Sequence, residues 1–348
     1  MLYLCLTADY EPFLGENYNS IEDIIINPTN KICSILDEYD IKITFFIDVL
    51  FLDYLKRKGY EKERNIIIQN IVSLFHFGHS IQLHIHPHWL KANGDLLKYT
   101  FDSKYYKLSD FFGESEFGGI TGIIHDSINI LKNDVFKFAS NYKPVAYRVG
   151  GWSIQPEKTI IDALVSEGIF IDSSVLKNCY SGKGKIEHYD FRNSPNDFFW
   201  RIKSDSGVNT ASLDKFDNFF EIPVYTYWSF SLILHNFKRI ILNRLFKKRN
   251  LAQRKGRSCL SKKSFRDNVR KTFFEPLKFS LDNTYDIPIY LKIIKKLSIQ
   301  KNDSVMCMYF HPKLLSDHDL EKIKLFFDEL KKHNVSIVTL DRIVELFG

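Results

Sequence analysis

The segment His84-Ile85-His86-Pro87-His88 holds three of the chain's eleven histidines within five positions. A neutral imidazole is the commonest protein ligand for zinc and related ions, and catalytic zinc sites keep three protein ligands and one open position. Because side chains at i and i+2 share a face of an extended strand, His84 pairs with His86 if the strand continues. A bend at Pro87 would instead bring His84 and His88 together. The sequence predicts a metal site here and leaves both histidine pairs open.

Two carboxylates follow the first apolar run of the chain, residues 2–7. Asp9 and Glu11 alternate with Tyr10, so on a strand end both acids point to the same side. Because they continue directly from an apolar strand, a pair of merely solvated surface acids is the less favoured interpretation. The two acids are therefore candidates for the same metal site as the histidine segment.

Apolar runs rich in β-branched and aromatic residues predict strands over 2–7, 41–48, 79–86, 145–149, 169–175, 219–226, 305–311 and 335–340. Between most of them, helical spacing of apolar residues predicts helices over 20–39, 62–76, 123–139, 156–167 and 317–333. This alternation predicts a parallel sheet with right-handed crossovers, either doubly wound or closed. The candidate site residues collect at carboxyl ends of strands, which favours a distorted (β/α) barrel of about seven parallel strands with its active site there.

The composition is that of a folded chain, with 348 residues and 45% apolar content, and it excludes global disorder. We expect one barrel domain over residues 1–348. Five scattered cysteines without a Cys-x-x-Cys pair indicate a reduced setting. The start of the chain has no basic leader, and no apolar stretch reaches the roughly 18 to 20 residues of a spanning helix. A cytoplasmic location is therefore expected.

A basic segment at about 227–285 interrupts the strand and helix alternation. Between Lys238 and Lys271 there are 14 Lys or Arg and one acid, Asp267, so this window carries +13 and the rest of the chain carries −7, which sum to the net charge of +6. An apolar stripe at helical spacing comprises Phe230, Leu234, Phe237, Ile241 and Leu245. The pattern predicts a helical insertion that packs on the barrel or lies on an anionic membrane surface, at the inner face of the membrane. Since no recognised nucleic-acid motif accompanies the charge, a nucleic-acid partner is not expected.

In order and spacing, five motifs resemble those of the polysaccharide deacetylases, the NodB-homology family of carbohydrate esterases, over most of the chain outside the basic segment. They are Thr7-Ala8-Asp9-Tyr10-Glu11, Gly78-His79 with His84 to His88, Arg148-Val149-Gly150-Gly151-Trp152, Asp172-Ser173-Ser174 and Phe310-His311-Pro312. The family's first motif reads Thr-Phe-Asp-Asp-Gly, so Tyr10 stands where its metal-binding acid is expected. Its second motif places two metal histidines four residues apart.

The resemblance implies catalytic roles for four residues. Asp9 matches the catalytic base, and Arg148 would hold it by a charge-assisted pair. His311 matches the catalytic acid that protonates the leaving amine, and Asp172 would orient His311.

The resemblance also implies Zn²⁺ or another divalent transition metal. Glu11 is then the metal carboxylate in place of Tyr10. His84 and His88 match the family's histidine ligands, and His86 is the alternative to His88.

The activity implied is that of a metal-dependent hydrolase acting on carbon–nitrogen bonds other than peptide bonds. It would remove N-acetyl groups from an amino sugar or polysaccharide precursor, in cell-envelope polysaccharide biosynthesis. Trp152, Trp89 and Tyr10 offer flat faces suited to sugar rings. Two alternatives stay open: a non-catalytic carbohydrate-binding relative, which the tyrosine at a ligand position favours, and a metal-dependent amidohydrolase acting on a small cytosolic amide.

Overall fold

The computed structural model describes residues 1–17, 19–182, 186–214, 218–228, 256–258, 274–279 and 287–347. Its strands, in chain order, are β1 (Leu2–Tyr10), β2 (Gly15–Asn17), β3 (Thr44–Asp48), β4 (Ser80–Ile85), β5 (Asn93–Gly94), β6 (Tyr99–Thr100), β7 (Ala146–Val149), β8 (Ile171–Asp172), β9 (Tyr180–Ser181), β10 (Tyr189–Asp190), β11 (Trp200–Ile202), β12 (Phe219–Glu221), β13 (Thr226–Trp228), β14 (Gly256–Ser258), β15 (Phe274–Pro276), β16 (Lys278–Phe279), β17 (Ser304–Phe310) and β18 (Val335–Val338).

Helices surround the strands. The α-helices of the described residues are α1 (Asn27–Glu38), α2 (Val49–Arg57), α3 (Glu61–His76), α4 (Gly119–Asn129), α5 (Lys158–Ser166), α6 (Ile287–Ser298), α7 (Asp317–Leu330) and α8 (Leu340–Phe347). A π-helical turn precedes α1 at Glu22–Ile26, and another follows α4 at Ile130–Val135. Short 3₁₀ turns lie at Pro87–Lys91, Ser103–Tyr105, Leu108–Phe111, Glu116–Gly118, Gly150–Trp152 and Pro312–Leu314.

One ten-stranded sheet forms the centre of the molecule, in the order β11-β12-β8-β7-β4-β3-β1-β17-β16, with β18 also paired to β1. The β11–β12 pair is antiparallel, and the other pairs in this sheet are parallel. The sheet curls into a distorted barrel because the chain after β12 returns to β17. Val224 bridges both Leu176 and Cys307, and the Tyr225 amide donates to the Cys307 carbonyl at 2.9 Å.

Strand β1 lies at the centre of this arrangement. One of its edges pairs with β17 from Leu2 to Ala8, and the other pairs first with β18 and then, from Thr7, with β3. Its residues are apolar and buried almost without interruption, as expected for a parallel strand covered on both faces. The acids at the end of β1 are therefore held at the carboxyl edge of the barrel.

The predicted barrel is confirmed, and all eight predicted strands are present, with β11 and β16 added to the same sheet. Helices α2, α6 and α8 were not predicted. In α2 the first four residues are all buried, so the apolar run lacks the period that distinguishes a helix from a strand.

The predicted basic insertion lies almost entirely outside the described residues, and its apolar stripe from Phe230 to Leu245 lies wholly outside them. The described part includes the end of β13, then β14, which pairs antiparallel with β2, and finally β15 and β16, of which β15 pairs with β13. No described residue supports attachment to a membrane surface. Within the ranges given above, no helix combines the length and apolarity needed to cross a bilayer.

Candidate functional site

The carboxyl ends of neighbouring strands bring the candidate residues together. The ladder places His84 of β4 beside Asp48 of β3 on one side and beside Arg148 of β7 on the other. Strands β1 and β17 are paired up to Ala8 and Phe310, so the segments that follow both strands also meet. In a barrel this edge is where the active site forms.

Glu11, His84 and His86 form a compact group of potential ligands. Their donor atoms all lie within 4.8 Å of one another, and all three residues are buried. Glu11 Oε2 lies 2.6 Å from Nε2 of His86 and 3.4 Å from Nε2 of His84. Among the described residues this is the group of histidines, cysteines and acids that could hold a metal ion.

The donor chemistry of this group fits a zinc-like ion. His84 Nδ1 lies 2.7 Å from the Arg148 carbonyl, so an Nδ1–H donor there leaves Nε2 free to face Glu11, the arrangement that orients metal-binding imidazoles. Glu11 Oε2 is buried and lies close to both imidazoles without a well-directed hydrogen bond to either. A cation shared by the carboxylate and the two imidazoles would satisfy all three groups. One carboxylate and two imidazoles are also a known catalytic zinc set.

The charge of Glu11 is stabilised by its neighbours. Burial raises the pKa of Glu11, but Lys313 and His86 outweigh burial and hold that pKa well below its usual range. Burial lowers the pKa of His84. Glu11 and Asp9 raise it by more than burial lowers it, so the pKa of His84 lies above its usual value.

His86, and not His88, is the histidine that joins His84 at Glu11. The backbone is still extended at His86 and turns only from Pro87 onward, so the i and i+2 side chains share a face. His88 is fully buried against the rings of Phe101 and Tyr106, and neither of its ring nitrogens has a hydrogen-bond partner. Burial, with the neighbouring His86, holds the pKa of His88 well below its usual range.

Gly150 makes room for His86. A β-carbon at this position would lie 2.5 Å from His86 Nδ1, far inside contact distance. The glycine in the Arg-Val-Gly-Gly-Trp segment is therefore required by the space that the His86 imidazole occupies.

Asp9 and Arg148 form a buried ion pair. Arg148 is fully buried, and its Nη1 donates to Asp9 Oδ1 at 2.7 Å and to Thr7 Oγ1 at 2.9 Å. Its Nε and Nη2 donate to the carbonyl and hydroxyl oxygens of Ser173, both at 2.9 Å. Burial raises the pKa of Asp9, but Arg148 and His311 outweigh burial and lower that pKa below its ordinary value. Asp9 is thus kept as a carboxylate, the form a general base requires.

His311 follows β17 and faces both acids. Its Nε2 lies 3.2 Å from Glu11 Oε1 and 3.6 Å from Asp9 Oδ2. The side chain is 23% exposed, whereas those of the two acids are at most 6% exposed. His311 is therefore the member of this cluster with access to solvent and to an incoming molecule.

Asp172 is not placed to orient His311, contrary to the expectation from sequence. It accepts a hydrogen bond from Ser174 Oγ at 2.5 Å and pairs across the β8–β12 ladder with Glu221. Both carboxyl groups are fully buried. Burial raises the pKa of Asp172 to about 6, despite hydrogen bonds from Glu221 and Ser174, and burial together with the Asp172 charge raises the pKa of Glu221 well above its usual range. The raised pKa values favour a proton shared between the two carboxyl groups.

Two of the three aromatic residues predicted to bind substrate lie elsewhere. Trp89 is completely buried and donates from Nε1 to Asp48 Oδ2 at 2.6 Å. Tyr10 is 3% exposed, and its hydroxyl donates to Asn70 at 3.0 Å. Trp89 lies in the 3₁₀ turn that follows β4 and faces the core. Tyr10 faces the core because adjacent positions on a strand end point to opposite faces. Tyr10 therefore points away from Glu11 and does not occupy a ligand position, which disfavours the non-catalytic alternative.

Trp152 lies where a residue that binds a sugar ring could lie. It is half-buried, its ring packs edge-on against Tyr309 at 4.9 Å, and the Arg148 guanidinium lies 5.4 Å from the ring. Its φ of 61° is in the left-handed region, which is uncommon for a bulky residue and frequent at functional sites.

Two site residues were not singled out from the sequence. Lys313 Nζ contacts Glu11 Oε1 at 2.7 Å, although a lysine after His-Pro gives no signal of burial. Asp48 ends β3 beside His84 and is 3% exposed. Burial raises the pKa of Asp48, with the two nearby histidines opposing. The sequence did offer one indication that Asp48 belongs to the site, since Asp48 ends the predicted strand 41–48.

Comparison with known proteins gives structural matches alone. A scan against protein-family models and a search of curated proteins both find no match. A Mycobacterium smegmatis protein assigned provisionally as a polysaccharide deacetylase is similar over 99% of this chain and 89% of its own, with 14% identity and a TM-score of 0.51. A protein of Pseudomonas aeruginosa PAO1 with the same provisional assignment is similar over 99% of this chain and 90% of its own, with 10% identity and a TM-score of 0.46. A family 4 carbohydrate esterase of Streptomyces lividans in complex with acetate is similar over 96% of this chain and 91% of its own, with 8% identity and a TM-score of 0.39.

The first of these matches has a TM-score above 0.5. The chain therefore has a polysaccharide-deacetylase-like fold, as the sequence predicted. At 14% identity this likeness shows the fold and not the activity.

Glu221→Gln should stabilise the protein increasingly as the pH rises. Folding raises the pKa values of the Asp172–Glu221 pair, so the folded chain retains a proton that the unfolded chain releases above about pH 4. Wild-type stability therefore falls from that pH upward through about pH 6 and beyond. The amide can donate to Asp172 without binding a proton, and its advantage should grow by on the order of 2 kcal/mol between pH 5 and 8.

Thermal or urea unfolding at both pH values measures this difference. Glu321→Gln removes a carboxylate whose side chain is 78% exposed and should show no such trend. A Glu221→Gln advantage that is constant, or that shrinks with rising pH, would contradict the shared proton.

His86→Ala should remove a metal ligand, whereas His88→Phe should not. We expect His86→Ala and His84→Ala to weaken Zn²⁺ binding by more than about 100-fold, since loss of an outer-shell partner alone costs about 10- to 100-fold. His88→Phe keeps an aromatic ring against Tyr106 and should bind Zn²⁺ as the wild type does. Chelator competition with elemental analysis measures these affinities, and loss of metal in His88→Phe with retention in His86→Ala would reverse the assignment.

Proposed function

We propose that this chain is a metal-dependent hydrolase that removes an acetyl group from the nitrogen of an amino sugar or polysaccharide precursor. The observation that carries the proposal is the position of His311, whose Nε2 lies 3.2 Å from Glu11 and 3.6 Å from Asp9. A proton-transfer residue thus adjoins both a group with zinc-binding chemistry and a buried carboxylate base. The deacetylase-like fold and the order of the five sequence motifs support the same activity.

Glu11, His84 and His86 would hold the metal ion. When bound, a zinc-like ion supplies a Lewis acid that polarises an acyl oxygen and makes water available as hydroxide near neutral pH. The protein's own contribution is the burial of these donors and the hydrogen bond that fixes the His84 ring.

Asp9 acts as the general base in this proposal. Its Oδ1 is occupied by the Arg148 guanidinium, and its Oδ2 faces His311, so one oxygen is anchored while the other can accept a proton from an attacking water. Arg148 keeps Asp9 ionised and in place, and it therefore serves as a positioning residue.

His311 then acts as the general acid that protonates the leaving amine. Its partial exposure places the imidazole between the buried acids and solvent, where a substrate amide can reach it. Trp152, at the rim beside Tyr309, offers a flat surface for a sugar ring. A precursor of cell-envelope polysaccharide is the proposed substrate class.

Acetate release from N-acetylglucosamine oligomers by the Zn²⁺-loaded protein tests this function. Asp9→Asn should lower the rate by about 10²- to 10⁴-fold, the usual contribution of a general base, while Zn²⁺ stays bound because Asp9 is not a ligand. Removal of the metal should abolish acetate release, and its return should restore it.

Asp53→Asn is the matched control, since Asp53 also pairs with an arginine, Arg57, at 2.6 Å but lies in α2. It should leave the rate unchanged. Equal rates for Asp9→Asn and wild type would contradict the proposal. Glycan binding without acetate release would indicate a binding protein, and hydrolysis confined to small amides would indicate an amidohydrolase.

A further inference from the structure

The Glu11 carboxylate is held from two opposite sides. Oε2 faces the histidine pair, at 2.6 Å from His86 and 3.4 Å from His84. Oε1 faces Lys313 and His311 at 2.7 and 3.2 Å. Each oxygen therefore has a separate set of neighbours, and the direction of Oε2 depends on what holds Oε1.

Lys313 contacts the whole segment that contains Glu11. Its side chain is 7% exposed, and Nζ donates to the Pro12 carbonyl at 2.5 Å in addition to Glu11. The same ammonium lies 5.4 Å from the ring centroid of Phe13. A buried ammonium requires paired acceptors, and here both acceptors and the aromatic ring belong to three consecutive residues.

This segment needs an anchor because it lies beyond the ladder. Strand β1 ends at Tyr10, the last β1 residue paired with β3. Glu11 is one residue further, and the following Pro12 has no amide to donate. Lys313 lies in the 3₁₀ turn Pro312–Leu314, directly after the end of β17, so its contacts tie together the segments that follow two paired strands.

We propose that Lys313 is a positioning residue that directs Glu11 toward His84 and His86, so that metal affinity depends on a residue that is not itself a ligand. The inference rests on the proposed metal site. The direction in which metal affinity changes when Lys313 is removed tests the inference, because a nearby ammonium repels a divalent cation. If Lys313 acted only by repelling the metal ion, its removal would tighten metal binding; if it acts by holding Glu11, its removal weakens binding.

Lys313→Met, which keeps the length of the side chain without its charge, gives the test. We expect a 10- to 100-fold weaker Zn²⁺ affinity by chelator competition, the usual effect of losing an outer-shell partner. Lys313→Gln, too short to hold Glu11 in the same way, should weaken binding similarly, and Lys313→Arg should restore much of the affinity. The visible spectrum of the Co²⁺-loaded Lys313→Met protein should shift toward that of Glu11→Gln.

The matched control is Lys324→Met, which removes a lysine–glutamate pair of the same 2.7 Å length, with Glu38, outside the site. It should leave both metal readouts unchanged. Circular dichroism of every variant reports whether the fold is kept, and Lys313→Gln provides the readout if Lys313→Met does not fold. Wild-type binding with equal or tighter binding by the two loss variants would overturn this inference alone. Failure of the wild type to bind Zn²⁺ or Co²⁺ would overturn the proposed function together with it.

Discussion

A guanidinium without access to water must find a partner for every donor, and this requirement organises the site around Arg148. The side chain is fully buried, and its partners come from β1 through Thr7 and Asp9 and from the end of β8 through Ser173. Its main-chain carbonyl lies 2.7 Å from the His84 imidazole. One residue therefore fixes both the proposed base and the orientation of a proposed metal ligand, and a displaced strand end would leave a buried charge unpaired.

Two pairs of buried carboxyl groups at this edge of the barrel differ in their surroundings and therefore in their pKa values. Asp9 and Glu11 face cations and imidazoles, so their pKa values fall despite burial. For Asp172 and Glu221 burial prevails and raises both pKa values, and the Asp172 charge raises that of Glu221 further. Burial is common to all four, and the nearest charge decides which of them stay ionised. This separation is consistent with a base on β1 and a protonated structural pair between β8 and β12.

The barrel and the neighbourhood of Asp9, Arg148 and His311 could be predicted from sequence because continuous apolar runs mark buried parallel strands and site residues follow them. The choice between His86 and His88 could not, since it depends on the residue at which the extended backbone ends. Asp172 was misassigned because its partner, Glu221, lies 49 positions away and only the β8–β12 register brings them together. Local sequence likewise cannot show which lysine a fold will bury.

Anomalous diffraction at the zinc absorption edge, from crystals grown with Zn²⁺, tests most directly whether this chain builds its metal centre from Glu11, His84 and His86. We expect one strong peak at about 2.0 to 2.2 Å from a carboxylate oxygen of Glu11 and from Nε2 of both histidines. His88 should remain stacked on Tyr106, as it is here. A peak bonded to His88 in place of His86, or no peak at saturating Zn²⁺, would contradict it.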